Sequence, residues 1–140
     1  AFGRNQNDLL KEMTNGMQSI VIAKGQDLNS IPRKVARWEV SHEGNQDILI
    51  VKWLDEVLYR NEVHDEFLVD CQPMIKNGLI EAQVSFVHKD SIELELEIKA
   101  VTTHEFEFRE VSNNETITSD WVEIPSFEGP GWYGDVVFDI

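Results

Sequence analysis

The chain has 140 residues, of which 41% are hydrophobic and 27% charged, and this balance predicts one folded domain with a hydrophobic core. Its formal net charge of −14 argues against direct binding to a nucleic-acid backbone, because such binding needs clustered lysine and arginine. An acidic surface suits divalent cations or a basic protein partner, although solubility alone explains the charge equally well.

The cysteine count and the hydropathy pattern bear on the cellular setting. Cys71 is the only cysteine, which excludes an intramolecular disulfide and a cysteine-based zinc site. This usage is compatible with a reducing compartment, and we expect a cytoplasmic protein. No apolar run approaches the length that spans a membrane, so we expect no membrane association.

The first half of the chain predicts two helices separated by a strand. Apolar residues recur at three- and four-residue steps from a cap at Asn7 or Asp8 to about residue 23, which is typical of an amphipathic helix. Residues 33–42 alternate in polarity and predict a half-buried strand. Asp47 can cap a second helix that ends near Glu62.

The second half of the chain predicts strands joined by tight turns. Asn77-Gly78 is a hairpin signal between the strand-like residues 67–74 and 79–88. Further strands are predicted over residues 92–100, 103–111, 116–124 and 136–140. These elements predict an α+β fold in which two helices cover one face of a mixed, largely antiparallel sheet. No repeat or linker interrupts the pattern, so we expect a single domain over residues 1–140.

The end of the chain carries the first candidate site. Asp139 and the terminal carboxylate of Ile140 lie one residue apart on a predicted strand. Oxygen acids this close together are the ligands that hard cations such as Ca²⁺ or Mg²⁺ prefer. The alternative is an ordinary C-terminal strand whose last aspartate faces water.

Two further groups of charged residues could take part in binding. Asp55 and Glu56 are adjacent on the second helix, and because neighbours diverge by about 100° around a helix, at most one of them flanks the apolar stripe. A half-buried carboxylate there is costly unless it is paired or bound to a metal, whereas two solvated acids need no partner. Lys99 shares one face of an alternating strand with three glutamates, where a cross-strand ion pair is the ordinary role.

The sequence lacks signatures of catalysis. It contains no nucleophile elbow, no Cys–His pattern, no metal-ligand spacing among its histidines and no glycine-rich phosphate loop. Residue chemistry alone therefore favours a binding or helper protein over an enzyme.

Several short stretches carry a family resemblance: Phe2-Gly3-Arg4 before the first helix, Trp53-Leu54-Asp55-Glu56-Val57-Leu58-Tyr59, Ile98-Lys99-Ala100-Val101-Thr102-Thr103-His104, and Val136-Val137-Phe138-Asp139-Ile140 after Gly131-Trp132. Together, and in this order along almost the whole chain, they resemble archease. This family comprises small helper proteins of the RNA ligase that joins tRNA exon halves.

The resemblance implies a metal-binding activator of a tRNA-splicing ligase. It would promote guanylation of the ligase and restore multiple turnover, without catalysing a reaction or binding nucleic acid directly. Asp139, the Ile140 carboxylate and Glu56 match the metal site, with Asp55 as the second choice on the helix. Lys99 matches a position expected to matter for activation, and His104 a position whose role is open. The oxygen ligands suit Ca²⁺, Mg²⁺ or Mn²⁺ better than zinc.

The sequence departs from the family at two places. Archeases begin with an Asp-His-Thr-Ala-Asp strand before the aromatic-glycine turn, so we expect the first strand, with its metal-binding acid, to be missing from residues 1–140. Thr103 stands where the family has tyrosine, which puts a role for that side chain in doubt.

Two other functions remain open. The first is a metal-dependent phosphoester hydrolase, in which Asp139 and Glu56 hold the ion and only His104 offers itself as a base. The second is an acidic protein-interaction domain that binds no metal.

Overall fold

The computed structural model describes residues 1–117 and 127–140 and confirms the predicted α+β class. Within these ranges the chain forms two α-helices, two short 3₁₀ helices, two antiparallel three-stranded sheets and a two-stranded ribbon. The elements in chain order are β1 (Phe2–Gly3), α1 (Gln6–Val21), β2 (Lys34–Ser41), α2 (Gln46–Val63), β3 (Glu66–Lys76), β4 (Leu79–His88), β5 (Ala100–Val111), β6 (Thr116–Ile117), β7 (Phe127–Glu128) and β8 (Gly131–Asp139).

Asparagine side chains fix where both helices begin. Asn5 accepts a hydrogen bond from the backbone N–H of Asp8 at 2.9 Å, and Asn45 accepts one from the N–H of Asp47 at 2.8 Å. Each bond satisfies an N–H group that the first helical turn leaves without a partner. The caps therefore lie two or three residues before the predicted ones, and the predicted cap residues occupy the first turn instead.

The first large sheet has the strand order β2–β4–β3, with both pairs antiparallel. The predicted hairpin at Asn77-Gly78 is confirmed, because β3 and β4 pair from Lys76↔Leu79 outwards. Gly78 adopts a φ of +74°, which glycine reaches without a steric penalty.

The second large sheet has the order β1–β8–β5, so the C-terminal strand lies in its centre. Phe2 pairs with Tyr133 and Gly3 with Trp132, which attaches the start of the chain to β8. A Cβ atom on Gly3 would lie 2.5 Å from the backbone nitrogen of Leu9. The aromatic-glycine motif thus allows β1 to pass directly against the start of α1.

The predicted strand over residues 92–100 is wrong for most of its length. Apart from one bridge between Ile22 and Leu94, residues 92–99 do not pair as a strand. The backbone N–H of Glu95 donates instead to the carbonyl of Val21 at 2.9 Å, at the end of α1. The alternating polarity reflects apolar side chains that face the helices, and it does not require a neighbouring strand. Of the predicted strand over residues 116–124, only Thr116–Ile117 lies within the described residues.

Both helices pack against both large sheets. α1 contacts β3 and β8, and α2 contacts β2, β3 and β5. Their buried apolar side chains belong to one hydrophobic cluster that includes residues of both sheets. Across the described ranges, no helix is long and apolar enough to cross a membrane.

Candidate metal and partner site

The end of β8 is held against the start of β5. Asp139 is the sheet partner of Ala100, and the backbone N–H of Lys99 donates to the Asp139 carbonyl at 2.7 Å. The Asp139 side chain is exposed, and Ile140 retains 68% of its surface. The sheet therefore fixes the backbone of Asp139 next to Lys99 while its side chain is exposed.

Asp55 reaches the same corner of the molecule from α2. Burial raises the pKa of its carboxyl group, and a hydrogen bond from the backbone of Val101 partly opposes the rise. Val101 pairs with Phe138, the residue before Asp139. The contact with Val101 consequently places Asp55 beside the last pairs of the β5–β8 ladder.

Glu56 is directed towards the other sheet. Its carboxylate forms an ion pair with Arg60 at 2.9 Å, and the same guanidinium lies 3.4 Å from Glu66 at the start of β3. The guanidinium also lies 4.9 Å from the centroid of the Trp38 ring on β2. Glu56 is thus engaged in a cluster on the β2–β4–β3 sheet, whereas Asp55 contacts Val101, the sheet partner of Phe138.

The sequence contained a signal for this distinction. Glu56 and Arg60 are four residues apart on a helix, with the acid on the N-terminal side, which is the favoured orientation for an ion pair. The pairing occupies Glu56 and leaves its neighbour Asp55 as the available helix acid. The resemblance to archease implies Glu56 first and Asp55 second, so both stay predictions.

His104 lies on a bulge of β5. Thr102 pairs with Val137 and Glu107 with Asp135, so four residues of β5 face a single residue of β8. Glu105 adopts a φ of +54° within this bulge. The exposed imidazole of His104 lies 3.8 Å from the carboxylate of Glu105.

The bulge separates His104 from the terminal acids. His104 is four residues from Ala100, or up to about 13 Å along an extended strand. The hydrolase hypothesis needs a base next to the ion, and this placement gives it no support.

The acids at the corner provide a partial donor set for a cation. Within residues 1–117 and 127–140, no group of three or more His, Cys, Asp or Glu side chains is close enough to hold a metal ion. Asp55 and Asp139 carry carboxylates, which are oxygen donors of the kind that Ca²⁺, Mg²⁺ and Mn²⁺ accept. Water or a partner would have to complete the coordination.

Comparison with known proteins decides the family. A sequence model of the Archease protein family matches residues 1–140, the whole chain. The chain belongs to the archease family. A search of curated proteins gives no match. Archease membership supports a role as a helper of an RNA ligase and association with such a ligase, in a family of non-catalytic ligase activators.

Proposed function

We propose that this archease is a divalent-cation-dependent activator of a tRNA-splicing RNA ligase in the cytoplasm. It promotes guanylation of the ligase and its return to multiple turnover, and it catalyses no reaction itself. The observation that supports the proposal is the match of the whole chain to the archease family model. Two contacts near the start of β5 agree with it, that of Asp55 with the backbone of Val101 and that of the Lys99 N–H with the Asp139 carbonyl.

Asp139, Asp55 and the Ile140 carboxylate are the proposed cation ligands. All are oxygen donors, which suits Ca²⁺, Mg²⁺ or Mn²⁺. Partial burial raises the pKa of Asp55, although a hydrogen bond from Val101 opposes the rise and much of the side chain remains exposed. A bound cation would stabilise the ionised form and return the pKa towards lower values. Glu56 is not among the proposed ligands, because its carboxylate is paired with Arg60.

Lys99 is the residue proposed to act on the partner. Its backbone is bonded to Asp139, so the cation ligand and the exposed ammonium group are held in register by the same sheet contact. A cation at Asp139 would therefore fix the position from which Lys99 reaches the ligase. His104 is a second proposed contact, because the bulge presents its side chain to solvent. The net charge of −14 supports contact with the ligase protein and not with RNA.

The proposal is tested by measuring guanylation of a cognate tRNA ligase with GTP and Mn²⁺. The reaction is run without this protein, with the wild type, with Asp139→Asn and with Asp135→Asn. Asp135 is an exposed acid on the same strand, opposite Glu107, so its variant carries the same charge change away from the strand end.

We expect the wild type and Asp135→Asn to stimulate guanylation. The stimulation by Asp139→Asn should be at least about tenfold smaller than that by the wild type. Full stimulation by Asp139→Asn would remove the cation site from the proposal. Absence of stimulation by the wild type would contradict the activator function itself.

A further inference from the structure

A cavity of about 390 Å³ lies between the ends of α1 and α2 and the extended segment 92–99. Its lining includes apolar side chains from all three elements, among them Val21, Leu58 and Leu94. Polar groups at one side come from Asn61 and Glu62 on α2 and from Glu97 on the segment. Apolar walls with a few convergent polar groups are typical of ligand sites, and the volume lies within their usual range.

Asn61 is the least expected part of this lining. It is only 7% exposed, and its side-chain oxygen Oδ1 has no hydrogen-bond partner. Buried amide groups are nearly always hydrogen-bonded, so an orphaned oxygen indicates that a donor is missing. Because Asn61 lines the cavity, a donor group bound there could supply the missing hydrogen bond.

Two carboxyl groups face each other beside Asn61. Glu62 and Glu97 both line the cavity, and the interaction with Glu97 raises the pKa of Glu62. Burial raises this pKa further, and the nearby Lys89 lowers it only in part. Glu95 adds another acid to the lining, so acids outnumber the single lysine. The polar side of the cavity is therefore a place where positive charge is stabilised.

We propose that this cavity binds the side chain of an arginine presented by a protein partner. The guanidinium would lie between Glu62 and Glu97, and the Asn61 amide oxygen would accept a further hydrogen bond. The aliphatic stem would pack on Leu58 and Leu94.

Arginine fits these features better than other cations. Its planar group carries five N–H donors that can serve several acceptors at once, whereas an ammonium is a compact point charge. A metal ion would leave most of the apolar wall of a cavity of about 390 Å³ without contact. The net charge of −14 also favours the approach of a basic segment of another protein.

The arginine site is separate from the cation site proposed above. Glu62 lies seven residues after Asp55 on α2, which corresponds to about 10 Å along the helix axis. The two sites thus lie along one side of α2, where one partner could contact both. Binding of arginine does not depend on the proposed cation or on ligase activation.

The test is a titration of the ¹⁵N-labelled protein with N-acetyl-L-arginine amide, followed by two-dimensional NMR. We expect saturable shifts of the Asn61 side-chain amide and of the Glu97 backbone amide. The matching citrulline compound has the same shape without the charge, and we expect it to bind at least roughly tenfold more weakly. Equal binding of the two compounds would overturn the proposal, as would the absence of a saturable shift.

Three variants locate the binding. Glu62→Gln and Glu97→Gln each remove one charge from the lining, and we expect both to weaken binding of the arginine compound. Glu93→Gln is the matched control, because Glu93 is an exposed acid of the same segment outside the lining. Equal weakening in all three variants would show general attraction to an acidic surface and would also overturn the proposal.

Discussion

At the scale of single residues, Asp55 and Glu56 show how neighbours on one helix can serve different parts of a protein. Glu56 forms an ion pair with Arg60 on the side of the β2–β4–β3 sheet, while Asp55 contacts Val101 on β5. The helix geometry requires this divergence, because successive side chains point about 100° apart. Only one of the two can therefore take part in binding at the end of β8.

The different contacts of Asp55 and Glu56 predict different effects of two isosteric substitutions on Mn²⁺ binding. Asp55→Asn removes a proposed ligand, and we expect it to weaken Mn²⁺ binding by at least about tenfold. Glu56→Gln should leave Mn²⁺ affinity unchanged and cost less than about 1 kcal/mol of stability, because it removes only a partly exposed ion pair. Titration calorimetry with Mn²⁺ measures both affinities. The assignment would be reversed if Glu56→Gln alone lowered the affinity.

At the scale of elements, a buried chain of hydrogen bonds joins the two helices. The Thr14 hydroxyl donates to the carbonyl of Leu10 at 2.7 Å and accepts a bond from the indole N–H of Trp53 at 3.0 Å. Both Thr14 and Trp53 are 0% exposed. Because water cannot replace these bonds, they fix how α1 lies against α2.

Thr14→Val tests this joint, since valine has nearly the shape of threonine but no hydroxyl group. The substitution leaves the buried Trp53 N–H without an acceptor, and we expect a loss of about 1–3 kcal/mol in the free energy of unfolding. Urea denaturation followed by tryptophan fluorescence measures it. The control is Thr116→Val at an exposed position, which should change stability by less than about 0.5 kcal/mol. A Thr14→Val variant as stable as the control would show that the bond contributes nothing.

The elements also show how far sequence patterns determine this fold. Helices, the Asn77-Gly78 hairpin and the long strands follow from local periodicity and turn chemistry, so they were predictable. Residues 92–99 were not, because alternation records which side chains are buried and not what buries them. The segment packs on the ends of the helices, as the hydrogen bond from Glu95 to Val21 shows.

The division into two sheets and the short strand β1 depend on contacts between distant parts of the chain. Phe2 pairs with Tyr133, which no local pattern reveals. The candidate site was only partly predictable, because it also depends on contacts between distant parts of the chain. Asp139 is a candidate from its place at a strand end, and the i,i+4 spacing of Glu56 and Arg60 indicates their ion pair. The contact between Asp55 and Val101 depends on the packing of α2 against β5. The proximity of Glu62 and Glu97 likewise depends on how α2 lies against residues 92–99.

At the scale of the whole molecule, the net charge of −14 makes self-repulsion a general cost of the folded state. Monovalent salt screens this repulsion, with a Debye length of about 8 Å at physiological ionic strength. Any divalent cation does the same at the surface without a specific site. A rise in stability with Ca²⁺ or Mn²⁺ is therefore informative only relative to sodium chloride at equal ionic strength.

We expect Mn²⁺ to raise the melting temperature beyond this general effect. A ligand that binds only the folded state at a hundred times its dissociation constant adds about 2.7 kcal/mol of stability. For a domain of this size, that corresponds to a rise of about 5–10 °C.

Differential scanning calorimetry of the wild type and Asp139→Asn, each with Mn²⁺ and with matched sodium chloride, separates the two contributions. Both proteins should respond alike to sodium chloride, because removing one of many negative charges changes the overall repulsion little. Only the wild type should gain the additional rise with Mn²⁺, since that gain requires the carboxylate at the end of β8. An equal gain in both proteins would assign the effect to surface charge and exclude Asp139 as a ligand.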